Sequence, residues 1–392
     1  MKKNFTCLYC REDKDFSHSS LEHAIPQFMG GDFAPDIFKI KNVCKSCNNN
    51  LGLWVDASYA KSWFVTNQLA EAARLFCTKP NDRGLPLVCM GRTSIPGLDI
   101  PEDNIAEQWI GPSGETIIWV RPHDERMDSY SGGNPIETKK KPSVAYFFPV
   151  SDVSEKHELG LRSYFRALHK RKARKILCAK AIDANGGIVN PEQLGFDAPS
   201  PEELSNADAI RNAIASGPIR INFVTNKGFD QRFICKLALG VGYSLFSEEF
   251  LENGIAVEAS KGVWPPQDGT KPKIRGTPTL LSGDFPFNEM LAYPGAISIA
   301  VLCAKIKWIM SVSISGKIPF FIELGPSSMF STHVNRDEGY ILLLLPYLEQ
   351  CIQLTAAELI AHKSGEMRHP ELEEIEKIHK LAEEFHKGLQ AT

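Results

Sequence analysis

The stretch from Cys7 to Asn50 decides the fold of the N-terminal part of the chain. Its three informative pieces read CLYC at 7–10, LEHAIPQFMGG at 21–31 and NVCKSCNNN at 42–50. A Cys-x-x-Cys pair lies at each end of the stretch, and a Glu-His dipeptide lies between the pairs. These residue types predict two sites, a closed thiolate site and an open site for a hard metal ion and a water molecule.

The two cysteine pairs predict a structural zinc ion held by Cys7, Cys10, Cys44 and Cys47. Each Cys-x-x-Cys turn directs two sulfurs the same way, so two turns complete a tetrahedron. The residues between the pairs, 11–43, leave room for a hairpin and a loop. The alternatives are a redox motif, two disulfides or chance pairing. A redox motif occurs once, near a βαβ pattern, so the doubled motif favours zinc.

The second site is predicted from the Glu-His dipeptide and an asparagine. Leu21 to Pro26 has the pattern of a short strand ended by proline, so Glu22 and His23 face opposite ways. Asn48 lies in the first turn of the helix that we expect after the second cysteine pair. Carboxylate and amide oxygens suit Mg²⁺, and a neutral imidazole can take a proton from water at physiological pH.

This block resembles the HNH endonuclease family, which has the ββα-metal fold, in its variant with a four-cysteine zinc site. The matching motifs are Cys7-x-x-Cys10, Glu22-His23-x-x-Pro26, Gly30-Gly31 and Cys44-x-x-Cys47-Asn48. They occur in the family's order. The resemblance covers about residues 5 to 60 and nothing beyond them.

The resemblance implies a role for each site residue. His23 would be the general base, Glu22 and Asn48 would hold a catalytic divalent metal ion, and Asn42 would orient the base. The family more often has aspartate at the position of Glu22. Asn48 begins a run of three asparagines, Asn48 to Asn50, and the sequence does not decide which of them binds the metal.

The mechanism implied by the resemblance is hydrolysis of nucleic-acid phosphodiesters, with DNA as the expected substrate. One Mg²⁺ or Mn²⁺ ion would stabilise the departing 3′-oxygen while His23 deprotonates water, leaving 5′-phosphate and 3′-hydroxyl ends. The zinc ion would take no part in the chemistry. It would keep base and ligands aligned.

Length, composition and charge limit the remaining part of the protein. A chain of 392 residues with 43% hydrophobic and 23% charged residues is expected to form two or three globular domains. Its net charge of −3 excludes a uniformly basic nucleic-acid binder, so contact with nucleic acid requires a local patch. The six cysteines outside the motifs are scattered and predict reduced thiols in a reducing cytoplasm.

Nothing in the sequence predicts a secretion signal or a membrane partner. The first residues lack an apolar core segment. The longest apolar stretch, 296–314, contains Lys305 and Lys307 and is rich in β-branched residues, which favours strands.

The pattern along the chain predicts an α+β protein, with an N-terminal ββα-metal zinc module followed by a larger mixed α+β region. The expected division is a nuclease module with its following helix at 1–77, an irregular linker at 78–104 and one or two α+β domains of unassigned role at 105–392. An amphipathic helix at the C-terminal end would cap its own domain or pair with a second copy in a homo-oligomer.

One basic run lies between Leu161 and Lys180. Its cations, with an apolar side at helical spacing, predict a helix that contacts a phosphate backbone or, alternatively, an ordinary solvated helix face. The residues predicted to contact nucleic acid are Arg162, Arg166, Lys170, Arg171 and Arg174.

The sequence therefore supports two functional hypotheses. The first is a metal-dependent HNH endonuclease regulated by its C-terminal region, an arrangement that is analogous to prokaryotic defence effectors. The second is a non-catalytic zinc protein that binds nucleic acid or senses a ligand. Cleavage of nucleic acid that depends on His23 distinguishes the two.

Overall fold

The computed structural model describes residues 4–79, 83–154, 157–183, 185–277, 287–331 and 333–390. The strands are β1 Asn4–Thr6, β2 Asp13–Asp15, β3 Ser19–His23, β4 Lys39–Cys44, β5 Val88–Thr93, β6 Asn104–Ile110, β7 Thr116–Pro122, β8 Ser143–Phe148, β9 Ala173–Leu177, β10 Ala181–Ile182, β11 Ile188–Val189, β12 Ile221–Asn222, β13 Ile297–Ala304, β14 Lys307–Ile314, β15 Lys317–Pro326, β16 Tyr340–Leu345 and β17 Gln350–Leu354. The α-helices are α1 Lys45–Leu51, α2 Ala57–Ala60, α3 Trp63–Arg74, α4 Glu137–Lys140, α5 Glu158–Ala167, α6 Pro201–Ser216, α7 Lys227–Glu252, α8 Gly254–Val263, α9 Asn288–Leu291, α10 Ala356–Ser364 and α11 Pro370–Gln390. The mixture of helices and sheets confirms the α+β class.

The chain forms two compact units that are discontinuous in sequence. The first contains residues 1–60 and 226–377, and the second contains residues 61–225 and 378–392. The expected division into 1–77, 78–104 and 105–392 followed chain order, whereas these units follow spatial contacts. Strand β5 lies within 78–104, where we expected an irregular segment, because its residues pair with β6. Residues 80–82 of that segment lie outside the described residues.

The N-terminal part of the first unit has the predicted ββα order. Strands β3 and β4 form an antiparallel pair, and α1 follows β4 directly. The Cys44 sulfur accepts the amide of Cys47 at the start of α1, so a cysteine occupies the capping position. Glu22 and His23 face opposite sides of β3, as predicted, since Glu22 is buried and His23 is half-buried.

Helix α7 is the central element of the first unit. Every residue from 233 to 242 is buried, which is typical of a helix covered on all sides. Gly240 permits a close approach to the end of β3, since a Cβ there would lie only 2.8 Å from that of Ala24. Phe233 stacks on Tyr59 with 3.8 Å between ring centroids. The ββα elements therefore share their core with a helix from far along the chain.

The C-terminal part of the first unit contains a five-stranded antiparallel sheet, in the order β15-β14-β13-β16-β17. All six residues of β16 are buried. Helix α7 contacts β15 at the edge of this sheet. Because the β16 side chains are buried on both faces of the strand, β16 is a continuous run of apolar residues with no polar alternation.

The second unit is built on a six-stranded sheet in the order β12-β5-β6-β7-β8-β9, which is antiparallel except for the β8–β9 pair. Ile117 and Phe147 pack on one face with Tyr164 of α5. Ile118 and Tyr146 pack on the other face with residues of α6. The unit is therefore a three-layer α/β/α arrangement with apolar residues on both faces of the central strands.

The basic run does not form one helix, so that part of the interpretation was wrong. Helix α5 ends at Ala167, a turn follows with Lys170 at a φ of +61°, and Arg174 lies on β9. The segment from Ala173 to Leu177 pairs in parallel with β8, so its backbone bonds extend the sheet instead of continuing a helix. The first half of the run is therefore helical, as its spacing predicts, whereas pairing with β8 sets the conformation of the second half.

Candidate active site

The four cysteines of the two Cys-x-x-Cys turns converge on one point. Their sulfur atoms all lie within 4.8 Å of one another. The amide of Cys44 donates to the Cys7 sulfur and the amide of Cys47 donates to the Cys44 sulfur, both at 3.4 Å. The hydrogen bond between the Cys47 and Cys7 side chains lowers the pKa of Cys7 and raises that of Cys47. This cluster of sulfur donors is compatible with a tetrahedral zinc ion.

A tight loop after Pro26 turns the chain back toward the end of β3. Gly30 has a φ of +97°, which favours glycine. A Cβ on Gly31 would lie 1.8 Å from the carbonyl oxygen of Ile25, so only glycine fits there. The amide of Gly31 donates to the Pro26 carbonyl at 3.1 Å. The Gly-Gly pair is therefore required by backbone packing.

This loop brings an acid to His23. The Oδ1 atom of Asp32 lies 3.4 Å from Nε2 of His23, and the Gln27 amide nitrogen donates to the same oxygen at 3.2 Å. The His23 side chain is 22% exposed, so solvent can reach the ring. An acid near one ring nitrogen favours a hydrogen there, which leaves the lone pair of the neutral ring on Nδ1.

The Glu22 carboxylate faces the interior and meets a lysine from α7. The Lys236 ammonium lies 2.8 Å from Oε1 of Glu22 and 3.2 Å from Oδ2 of Asp56, and it donates to the His23 carbonyl at 3.3 Å. The Tyr9 hydroxyl is 3.5 Å from the same Oε1. Lys236 is fully buried. Both described contacts of the Glu22 carboxylate fall on Oε1.

The charges in this cluster do not balance. Two carboxylates, those of Glu22 and Asp56, face one ammonium. Burial raises the pKa of both acids despite the attraction of Lys236. The pKa of Lys236 is also raised, since the two acids outweigh its burial. Asp56 Oδ1 is buried without a hydrogen-bond partner. An excess of buried negative charge and an orphaned oxygen fit a site that accepts a further cation.

Asn48 is held against β3 by its amide nitrogen. This nitrogen donates to the Leu21 carbonyl at 2.8 Å and to the Ser20 hydroxyl at 3.1 Å. Both bonds use the nitrogen, so the amide oxygen remains the acceptor that could contact a metal. Asn42 does not contact His23 through its amide nitrogen, which donates instead to the Tyr243 hydroxyl at 2.9 Å. Its predicted orienting role stays a prediction, and Asp32 occupies the position beside the ring.

The donor set on β3 and α1 fits a hard divalent ion. A carboxylate and an amide oxygen are the oxygen ligands that Mg²⁺ or Mn²⁺ accepts, with water completing the shell. Asn48 bonds to the residue that precedes Glu22, which ties the two predicted ligands to one strand segment. His23 follows Glu22 directly. The site thus combines oxygen ligands, an accessible imidazole and a thiolate cluster within one ββα module.

Comparison with known families agrees with this geometry. The family model described as HNH endonuclease matches residues 7–64, the segment that contains both cysteine pairs and the Glu-His dipeptide. The N-terminal segment carries an HNH endonuclease domain. Searches against curated proteins and against solved structures gave no match for the chain. The family match therefore covers residues 7–64 and does not extend to the remaining residues.

The basic residues predicted to contact nucleic acid fall into two groups. Arg171 donates to the Pro135 carbonyl and the Thr138 hydroxyl, and Arg174 forms a two-pronged ion pair with Glu203 at 2.6 and 2.9 Å. These two guanidinium groups are bound within the second unit itself. Arg162 and Arg166 lie on α5 and line a surface groove, although Arg162 also pairs with Glu158 and Arg166 also donates to the Gly84 carbonyl. Lys170 follows α5 in the turn before β9.

Sequence reasoning missed three residues of the candidate active site. Asp32 follows the Gly-Gly pair, and the tight turn that this pair signals was the available clue. Asp56 and Lys236 gave no such signal. Lys236 lies more than two hundred residues from the HNH motif, and only the packing of α7 against β3 brings it there.

Among the described residues, no helix is both long and apolar enough to span a membrane.

Proposed function

We propose that the protein is a metal-dependent HNH endonuclease that hydrolyses nucleic-acid phosphodiesters, with DNA as the expected substrate. His23 acts as the general base, Glu22 and Asn48 hold one Mg²⁺ or Mn²⁺ ion, and Cys7, Cys10, Cys44 and Cys47 hold a structural zinc ion. The observation that carries the proposal is the position of His23, half-exposed beside Asp32 on the strand that also presents Glu22.

Each residue of the site has a separate task. Oδ1 of Asp32, 3.4 Å from Nε2 of His23, favours a hydrogen on that nitrogen, so Nδ1 is the nitrogen that takes a proton from the attacking water. Lys236 holds Oε1 of Glu22, which leaves Oε2 for the cation. Asn48 supplies its amide oxygen because its nitrogen is bonded to β3. When bound, the divalent ion supplies charge stabilisation to the phosphate and the leaving oxygen.

The cysteine cluster supports this chemistry without entering it. Cys7 and Cys10 lie just after β1, whereas Cys44 and Cys47 join β4 to α1. A zinc ion on all four sulfurs would connect these ends and keep Asn48 in register with Glu22. Reduced cysteines agree with a reducing compartment such as the cytoplasm. A role in prokaryotic defence rests on the combination of a nuclease with a larger region and stays a prediction.

One observation favours the second candidate, a zinc protein that binds nucleic acid without cutting it. The Glu22 carboxylate is paired with a buried lysine, and such a pair could replace the metal ion as the partner of that acid. In that case the HNH domain would bind nucleic acid without cutting it, and the activity of the protein would lie in its remaining residues. The cleavage experiment with His23→Ala, described next, distinguishes the two candidates.

The experiment is cleavage of plasmid and single-stranded DNA by the zinc-loaded full chain with Mg²⁺ or Mn²⁺. We expect cleavage by the parent and a loss of about 10²–10⁴-fold in His23→Ala, the usual contribution of a general base. His18→Ala is the matched control, since His18 is an exposed histidine of the same module. Electron paramagnetic resonance measures Mn²⁺ binding independently of activity, and Asn48→Ala should weaken this binding. Unchanged cleavage in His23→Ala would refute the proposal.

A further inference from the structure

Helix α5 of the second unit borders a surface groove of about 860 Å³, a volume within the usual range of ligand sites. Its rim carries Arg83, Arg162, Arg166 and His169, and Glu158 is the acid among its described lining residues. Glu158 is already bonded to Arg162, whose Nε lies 3.0 Å from its Oε1. This pair neutralises one arginine, but three arginines against one glutamate still leave the rim with an excess of positive charge.

The rim is held in place by a loop that packs closely on α5. Gly84 has a φ of +64°, and a Cβ there would lie 2.7 Å from the backbone of Arg162 and Ser163. The guanidinium group of Arg166 donates to the Gly84 carbonyl at 2.8 Å, and the Leu85 amide donates to the Ser163 hydroxyl at 2.8 Å. These bonds fix Arg83 next to the cations of α5, so the positive rim is preorganised.

The floor of the groove is apolar and aromatic. Phe165 is half-buried and packs edge-to-face on Tyr164 at 5.5 Å between ring centroids and against Phe196 at 5.2 Å. A Cβ on Gly195 would lie 3.3 Å from the Phe165 ring, so the absence of a side chain there leaves space for the ring. Leu161 and Leu194 complete the floor. The ring is thus supported from beneath by two buried aromatics.

We propose that this groove binds a single-stranded segment of nucleic acid, with phosphates on the arginine rim and a base stacked on Phe165. The inference rests on the proposed nuclease function for the identity of the polymer. Cations that follow a backbone, combined with an aromatic platform, are the combination that unpaired strands require. A duplex presents only its phosphates to such a groove, because its bases are already stacked.

The test is binding of a labelled 12-nucleotide single strand by the full chain carrying His23→Ala, with zinc bound and no Mg²⁺, measured by fluorescence anisotropy. Binding is then independent of cleavage, so a failure of the nuclease proposal does not affect the result. Arg83→Gln with Arg162→Gln removes two rim charges without touching the Arg166 bonds. The control, Lys172→Gln with Lys180→Gln, removes two exposed charges of the same run outside the groove.

We expect the rim variant to bind about 10-fold more weakly and to lose about 1.4 from the slope of log affinity against log salt, since each single-strand phosphate contributes about 0.7. Phe165→Leu keeps an apolar floor but should weaken binding at least about 5-fold, with the salt slope unchanged. The control pair should bind within about twofold of the parent. Circular dichroism of each variant checks that it is folded.

Three results would overturn the inference. Equal binding by the rim variant and the control pair would show that only total charge matters. Equal competition by duplex, with Phe165→Leu silent, would exclude base stacking. Competition by a mononucleotide as strong as that by the 12-nucleotide strand would assign the groove to a free nucleotide.

Discussion

Two lysines, one in each unit of the protein, have opposite electrostatic surroundings. Lys236 in the first unit is fully buried between Glu22 and Asp56, and these acids raise its pKa. Lys61 in the second unit is half-buried. Burial is the main cause that lowers its pKa to about 8, and the nearby Arg171 is the next largest cause. The same side chain is thus stabilised as a cation in one place and destabilised in the other.

The difference follows from how the neighbouring acids are used. Glu107 is the acid that acts on Lys61, but its carboxylate already accepts from Arg121 at 3.0 and 3.1 Å and from the Gly132 amide. In the first unit the acids outnumber the lysine. The HNH site therefore has negative charge to offer a metal ion, whereas this part of the second unit has excess positive charge. The balance of nearby acids and cations thus gives the same residue type opposite pKa shifts in the two units.

Removal of zinc should give the largest effect, and it should destabilise the first unit while leaving the second unit folded. Structural zinc binding supplies about 10–16 kcal/mol in small zinc modules. We expect the amides of β3 and β4 to lose hydrogen-exchange protection in Cys47→Ser, while those of β6 and β7 keep it. Cys303→Ser, at a half-buried cysteine outside the cluster in the first unit, is the control. Parent-like protection of β3 and β4 in zinc-free protein would argue against a structural zinc ion.

Loss of the Lys236 ammonium should have the next largest effect. Lys236→Met leaves Glu22 and Asp56 buried without their cation, which costs about 3–5 kcal/mol of unfolding free energy in comparable pairs. Urea denaturation measures this cost. Adding Glu22→Gln and Asp56→Asn should recover at least half of it, because the buried charges disappear. If Lys236→Met alone were as stable as the parent, another group would have to balance the charge of the two carboxylates.

Replacement of Lys61 should have a smaller effect of the opposite sign. Its pKa is lower in the folded than in the unfolded state, so the unfolded chain binds more protons between pH 8 and 10.5 and stability rises over that window. Lys61→Met should therefore stabilise the protein at pH 7 by about 1 kcal/mol, allowing for solvent screening, and should flatten this rise. The exposed Lys140→Met is the control. A destabilised Lys61→Met variant with an unchanged pH profile would contradict the assignment.

The sequence predicted the local parts of this picture and missed the distant ones. The cysteine spacing, the Glu-His strand and the helix that carries Asn48 follow from short-range patterns, and the ββα order confirms the strand and the helix, which begins at Lys45 between the two cysteines of the second pair. The partner of Glu22 comes from α7, and no pattern near Glu22 signals it. The basic run was assigned to one helix because its spacing was helical, but β9 joins the sheet beside β8. Long-range packing therefore limits what the motif alone can predict.

Single-turnover cleavage of DNA by the zinc-loaded full chain, compared with His23→Ala at equal zinc content, tests the central claim most directly. The account predicts Mg²⁺- or Mn²⁺-dependent products with 5′-phosphate ends from the parent and from His18→Ala, and a rate at least about 10²-fold lower from His23→Ala. Equal rates for the parent and His23→Ala, or no cleavage by the parent with either metal ion, would contradict it.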